Sequence, residues 1–199
     1  KGANILNLKN LKYILKLNSC KTYSPEYKEH HGLDPWVQWV SIHTGKELKQ
    51  HKIIRNSDIK KLKFKQFWEI LSEKGISSGI WGALNANRNN SKLCYFFLPD
   101  PWNYNELAYP KNLNEFLYLP RYYSKNYTKI SKFKFIFGII KLIKFLLNPS
   151  LIFGLVGNFV RVIKYVSADG INNNNLFGLF DLISTEVFLK YKEKYNPNV

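Results

Sequence analysis

The stretch from Asp58 to Asp100 constrains the fold more than any other part of this chain. It opens with "DIKKLKFKQFWEILSEK", where apolar residues recur at helical spacing among lysines. The spacing predicts one amphipathic helix over 58–74, with Asp58 as its N-cap and Gly75 just past its end. Two short apolar runs follow, "ISSGIWGAL" and "LCYFFLP". The first is ended by "NANRNN" and the second by "DPW". Helix, glycine, buried strand, polar loop and strand, in that order, is α/β grammar. Ligands of open α/β sheets bind beyond the carboxyl ends of the strands. The loops that start at Asn85 and at Asp100 are therefore candidate site loops. The bland alternative is a pair of ordinary turns, since Asn, Asp and Pro form turns anywhere.

The rest of the 199 residues divides around this unit. Ile5, Leu8, Leu11, Ile14 and Leu15 predict a helix over 5–17. From Val37 the pattern turns apolar and β-branched, and it closes at "HTGK". Residues 101–130, rich in Tyr, Pro and Asn, read as a long excursion over the surface. Residues 131–167 read as two apolar helices split at Asn148-Pro149-Ser150. The first is about 22 Å long, against the roughly 30 Å of a bilayer core, so neither is expected to span a membrane. Lys134, Lys141 and Lys144 form a wet stripe on it. That stripe suits a buried cap helix with one solvated side, or a helix lying in a membrane interface with its lysines up. A last helix is expected over 176–195. The expected organisation is a partial α/β core over 1–105, a Tyr-rich loop and apolar helical cap over 106–175, and a helix returning to the core over 176–199.

Charge narrows the partners. Thirty Lys and Arg stand against fourteen Asp and Glu, a net +16. Arginine occurs only at 55, 88, 121 and 161, and asparagine is abundant. A lysine- and asparagine-heavy chain of this kind reflects biased composition before it reflects nucleic-acid binding, which favours arginine forks. No nucleic acid is expected. The positive field still suits an anionic small molecule or an anionic lipid surface. Cys20 and Cys94 are isolated and give neither a zinc framework nor a disulfide scaffold. The chain contains no Met, and its first residues lack the form of a signal peptide. It reads as a piece of a longer reading frame.

The richest local chemistry lies in "DPWVQWVSIHTGKELKQHKI", Asp34 to Ile53. The chain has no P-loop, no GxSxG elbow and no helical histidine pair. Residue spacing alone leaves an α/β domain with an interesting loop. The segment does, however, resemble the alkaline phosphatase superfamily, in particular its type I phosphodiesterase/nucleotide pyrophosphatase branch and the sulfatases. The likeness rests on Ser41, on Thr44-Gly45, on His51 six residues after that glycine, and on Ile53, with Lys52 where the family has Gly. "FWEILSEKGISSGIWGALNA" and "FFLPDPW" resemble the family's next units, so the likeness covers about residues 5–105. It implies an alkaline-phosphatase-like sheet flanked by helices and a metal-dependent hydrolase of phosphate esters or phosphodiesters. It further implies a divalent metal, zinc in this branch, and an anionic ester as substrate.

Two departures qualify that implication. The family's nucleophile precedes the Thr of Thr-Gly by nine residues, and Pro35 stands there. Asp34, Ser41 and Thr44 are the remaining catalytic candidates, and Asp34 also the candidate metal ligand. Gln38, Asn56 and Asn85 are the substrate-binding candidates; Asn56 matches the family's phosphate donor five residues after its His. After His51 the chain has no histidine, so the family's metal site cannot be assembled from this chain alone. The alternative is a non-catalytic domain of the same fold that binds a membrane surface or an acidic partner through its lysine-striped helices.

Overall fold

A computed structural model describes residues 32–148 and 173–199, with 24, 28 and 151 besides; of residues 57 and 173–177 only the backbone is described. The elements run α1 (Pro35–Thr44), α2 (Leu48–His51), a 3₁₀ segment (Asn56–Lys61), α3 (Phe67–Glu73), β1 (Ser78–Ala83), β2 (Cys94–Pro99), α4 (Leu113–Asn126), α5 (Lys132–Leu146) and α6 (Asn173–Tyr195). The class is mixed α/β. The helix expected over 5–17, the second apolar helix after Pro149, and Cys20 lie outside the described residues.

β1 and β2 pair in parallel, with Ile80 beside Phe97 and Trp81 beside Leu98. Both apolar runs are thus strands. On its other edge β2 is bridged by Tyr109: Phe97 and Tyr109 exchange backbone N–H···O bonds of 2.7 and 2.8 Å. The outer edge of β1 receives Val199, whose carbonyl accepts the Gly79 N–H at 2.9 Å. Asn198 locks that pairing, because its Oδ1 accepts from both the backbone N–H and the hydroxyl of Ser77.

The strands are covered on both faces, as parallel pairs must be. On one side Trp68 of α3 packs with Ile80, Cys94 and Phe97. On the other, Phe96 and Leu98 meet Phe116 of α4, Phe145 of α5, and Val187 and Tyr191 of α6. Trp81 lies at this second face, within ring contact of Phe96, Phe116, Phe188 and Tyr191. Its indole N–H is satisfied by Ser184 Oγ at 3.0 Å, so the ring stays in the apolar layer without an unpaired donor.

Three expectations are corrected. The apolar run from Val37 is helix α1: Val37 and Val40 are fully buried while Trp36 and Trp39 are partly exposed. The single helix expected over 58–74 is broken in two. Asp58 does not cap it but pairs with Lys61. The start of α3 is fixed by a reciprocal capping box, in which Gln66 and Glu69 each accept the other's backbone N–H; this satisfies two orphan donors at once. Its end matches the sequence. Gly75 takes φ +77, and the N–H groups of Gly75 and Ile76 return to Ser72 and Leu71 carbonyls, a Schellman closure.

The third correction concerns 101–130, which is no bare excursion. Its second half is α4, whose Leu113, Phe116 and Leu117 are buried. Pro120 lies inside this helix, and it and the Asn and Tyr content hid the 3,4 spacing. α5 then packs on α4 at Gly138, where an added Cβ would stand 2.8 Å from Leu119 Cδ1. The reading of α5 as a buried cap with one wet stripe fails, because the side away from α4 carries exposed Phe133, Ile136 and Ile140. Among the described residues no helix is long and apolar enough to cross a membrane.

Gly79 is the most closely approached of the described glycines, and the contact comes from its cross-strand partner Phe96. A Cβ there would fall 2.1 Å from Phe96 Cζ, and that ring is itself enclosed by Phe188, Tyr191 and Tyr195. Gly79→Ala is expected to cost about 1–3 kcal/mol, the usual cost of overpacking a filled core. Urea denaturation of the variant against the parent chain measures it.

Candidate functional site

The ends of the two parallel strands converge on Asp100. Its own N–H donates to Ala83 O at 3.2 Å, tying the exit of β2 to that of β1. Its carboxylate then gathers four donors. Oδ2 accepts the Asn85 backbone N–H at 2.9 Å. Oδ1 accepts the N–H groups of Trp102 and Asn103 at 2.9 and 3.0 Å, and Asn56 Nδ2 at 3.3 Å. Asp100 is 2% exposed. Burial raises its pKa above the usual carboxylate value, and the donors from Asn85, Asn56, Trp102 and Asn103 oppose that rise.

A ring of carboxamides extends the joint. Asn85 adopts φ +49, a left-handed conformation that Asn tolerates better than most residues. Its Nδ2 donates to Trp36 O at 2.8 Å, which brings the first turn of α1 to the strand ends. Asn103 Nδ2 donates to Ala86 O at 2.7 Å. Asn87 N–H reaches the fully buried Gln66 Oε1, and its carbonyl accepts the Trp68 indole N–H. From the opposite side, Arg121 of α4 donates to the carbonyls of Asn103 and Glu106. Burial lowers the Arg121 pKa, while Asp100 and Glu106 act to raise it.

The candidates from the opening loop fall in two groups. Asn56, Asn85 and the Asp34–Trp36 turn meet at this joint. Asp34 is the N-cap residue of α1, with its carbonyl accepting from Val37 and Gln38 N–H. Pro35 stands at the first helical position, where the missing N–H costs nothing. Ser41, Thr44 and His51 lie at the far end of α1, away from that turn. Gln38 donates to Gly32 O and fastens the segment before the helix.

Hydrogen-bond polarity decides what these residues can do. The Ile53 N–H donates to His51 Nδ1 at 3.0 Å. In a neutral imidazole that makes Nδ1 the acceptor and puts the proton on Nε2. Nε2 then donates to Ser41 Oγ, 3.1 Å away. His51 has no lone pair aimed at Ser41, so it cannot act as base for a serine nucleophile. Thr44 Oγ1 donates to Val40 O at 2.7 Å and accepts from Lys46 N–H at 3.2 Å. With Gly45 at φ +65, it closes the C-terminus of α1. Asn56 and Asn85 each direct one carboxamide N–H inward, to Asp100 and to Trp36 O. Ser41, Thr44, Asn56 and Asn85 thus each have a structural hydrogen-bond partner in this arrangement.

The metal was expected of a longer protein and not of this chain alone. Among the described residues no group of three or more His, Cys, Asp or Glu is placed to hold a metal ion. Asp100, the most central carboxylate, already has its oxygens engaged by four N–H donors. The described residues do not fit a zinc centre.

His43 marks a separate feature. It lines an apolar cleft of about 410 Å³ with Trp39, Ile42, Phe67 and Trp68, beside β1. Its ring centroid lies 5.0 Å from that of Trp68 and 5.6 Å from that of Trp39. Sequence reasoning passed over Arg121 as well. The available signal was compositional: an arginine in a chain that otherwise uses lysine marks a place where a planar fork is needed. Comparison of the chain with models of protein families, with curated proteins and with solved structures finds no match in any of the three.

Two outcomes follow from this geometry. Asp100→Asn turns an N–H donor pair against the donors that the carboxylate now accepts. It is expected to lower stability by about 1–3 kcal/mol, the range for leaving a buried donor unpaired, measurable by thermal denaturation. His43 has its pKa lowered by burial from 6.5 to about 4, so the folded state binds fewer protons than the unfolded one between those values. Stability is therefore lost as pH falls through 6.5 towards 4, by up to about 3 kcal/mol from this group. His43→Phe is expected to flatten that slope, and denaturant midpoints across the range test it.

Proposed function

We propose that this chain acts as a non-catalytic, alkaline-phosphatase-like domain that binds an anionic surface or acidic partner. The observation that carries the reading is the internal commitment of the catalytic-looking side chains. Ser41 accepts from His51, Thr44 caps α1, Asn56 and Asn85 brace Asp100 and Trp36, and Pro35 stands at the nucleophile position. The order helix, glycine, strand, loop, strand supports the likeness to that superfamily. Charge is what the reading offers a partner: the chain carries +16, and Lys52, Lys60 and Lys63 lie exposed between α2 and α3.

The hydrolase reading makes the opposite demand, since it needs a nucleophile and metal ligands beyond those described. One assay can overturn the proposal. With zinc and a chromogenic phosphodiester the chain is expected to release nitrophenolate no faster than zinc alone. Metal-dependent turnover that Asp34→Asn removes overturns the proposal.

A further inference from the structure

α5 is apolar on two opposite sides. Its inner side packs on α4 and the main core through Gly138, Leu142, Phe145 and Leu146. Its outer side carries Phe133, Ile136, Phe137, Ile140, Ile143 and Leu147, each between 44% and 81% exposed. At 3.6 residues per turn these side chains share an arc of about 120°. A contiguous apolar stripe of this kind on a surface helix marks an interaction site.

The charges around the stripe identify what covers it. α5 contains no carboxylate. Lys132 borders the arc on one edge, Lys134 and Lys141 on the other, and Lys144 rises near its C-terminal end. Lys141 Nζ is held over the Tyr118 ring at 4.7 Å and lies 5.2 Å from the Phe137 centroid, so its cation sits at the rim of the stripe. Beside it, between α4 and α5, opens a groove of about 400 Å³ lined by Tyr104, Tyr118, Arg121, Tyr122, Lys125 and Lys141. Glu115 is the one carboxylate on that groove.

A second copy of the chain is a poor occupant. A twofold pairing through α5 would set these lysines against the same lysines, with no acid in either helix to answer them. A surface that is apolar within and anionic at its rim answers both features. We infer that α5 lies flat in the interface of a bilayer containing anionic phospholipid. The outer arc enters the acyl boundary, and the edge lysines and the neighbouring groove meet headgroup phosphates. At about 22 Å the helix is too short to span and long enough to lie in the plane. Long lysine stems reach the headgroups while their methylenes stay with the chains, which accommodates Lys144 within the arc. α4 joins this face to the Asp100 loop, since Ser124 Oγ donates to Pro101 O at 3.0 Å while Leu119 meets Gly138.

This inference rests on the binding reading above and names its partner. Vesicle co-sedimentation of the full chain tests it, with phosphatidylcholine containing about 30% phosphatidylserine against phosphatidylcholine alone, and poly-glutamate as a soluble acidic control. Capture is expected to be at least tenfold greater on the anionic vesicles and to weaken in about 0.5 M salt. Ile136→Asp with Ile140→Asp is expected to abolish capture without moving the melting temperature, because both side chains face outward. Lys134→Gln with Lys141→Gln is expected to reduce it severalfold, and this pair serves if the aspartates disturb folding. The inference is overturned by equal capture on neutral vesicles, by capture that survives both double variants, or by a dimer in solution that the aspartates dissociate. Salt-sensitive binding to poly-glutamate alone overturns the bilayer and leaves the broader binding reading standing.

Discussion

The buried carboxylate of Asp100 is the interaction on which the arrangement of this domain depends. An ionised carboxylate removed from water is costly unless donors replace its hydration. Here they come from its own turn, through Trp102 and Asn103, and from two segments distant in sequence, Asn56 after α2 and Asn85 after β1. Each loop is held because Asp100 needs it, and Asp100 is tolerable because each loop is held. The two strands need this clamp. Their connection is a polar loop of asparagines with no crossover helix, and their pairing has irregular register at Ser78–Gly79 and at Trp81–Ala83.

The same logic governs the stretch from Asp34 to Ile53. Its Ser, His and Thr have the composition of a catalytic cluster. Their bonds run towards local structure instead, ending α1, closing the turn at Gly45 and orienting His51 by a backbone N–H. One directed hydrogen bond, from Ile53 to His51 Nδ1, fixes the tautomer and removes the base that a nucleophile would require. Residue type alone does not specify function at such a site. The direction of each proton does.

Charge is distributed by a different principle. Most of the described lysines lie at the surface, solvated and with little bearing on the fold, as exposed charges generally are. Arg88 and Arg121 are partly enclosed instead. Arg88 lies over the Tyr109 ring at 3.8 Å and donates to Cys94 O, and Arg121 spans two loop carbonyls. The planar guanidinium serves packing and hydrogen bonding together, which a lysine cannot do.

Several elements were legible from local pattern because local chemistry controls them. β1 and β2 are short apolar runs between turn formers. Gly75 ends α3 because a left-handed residue is needed there, and α6 follows its periodic apolar positions. The candidate loops at Asn85 and Asp100 were legible too, since strand ends of a parallel pair are where loops gather. Other features needed the tertiary structure. The break within 58–74 turns on which of Asp58 and Gln66 wins the cap, and Gln66 wins because its side chain is also held by Asn87 in the core. α4 was hidden because Pro120 weakens the local signal, while burial of Leu113, Phe116 and Leu117 against the sheet outweighs it. Sequence left α5 open between a buried cap and an interfacial helix, because which apolar side is covered depends on its neighbours. By itself the sequence determined the α/β class and the positions of its two strands, through periodicity and turn chemistry. Only the tertiary structure decided which polar groups remain available, because a hydrogen bond's direction and a side chain's solvent access are set by residues far away in the chain.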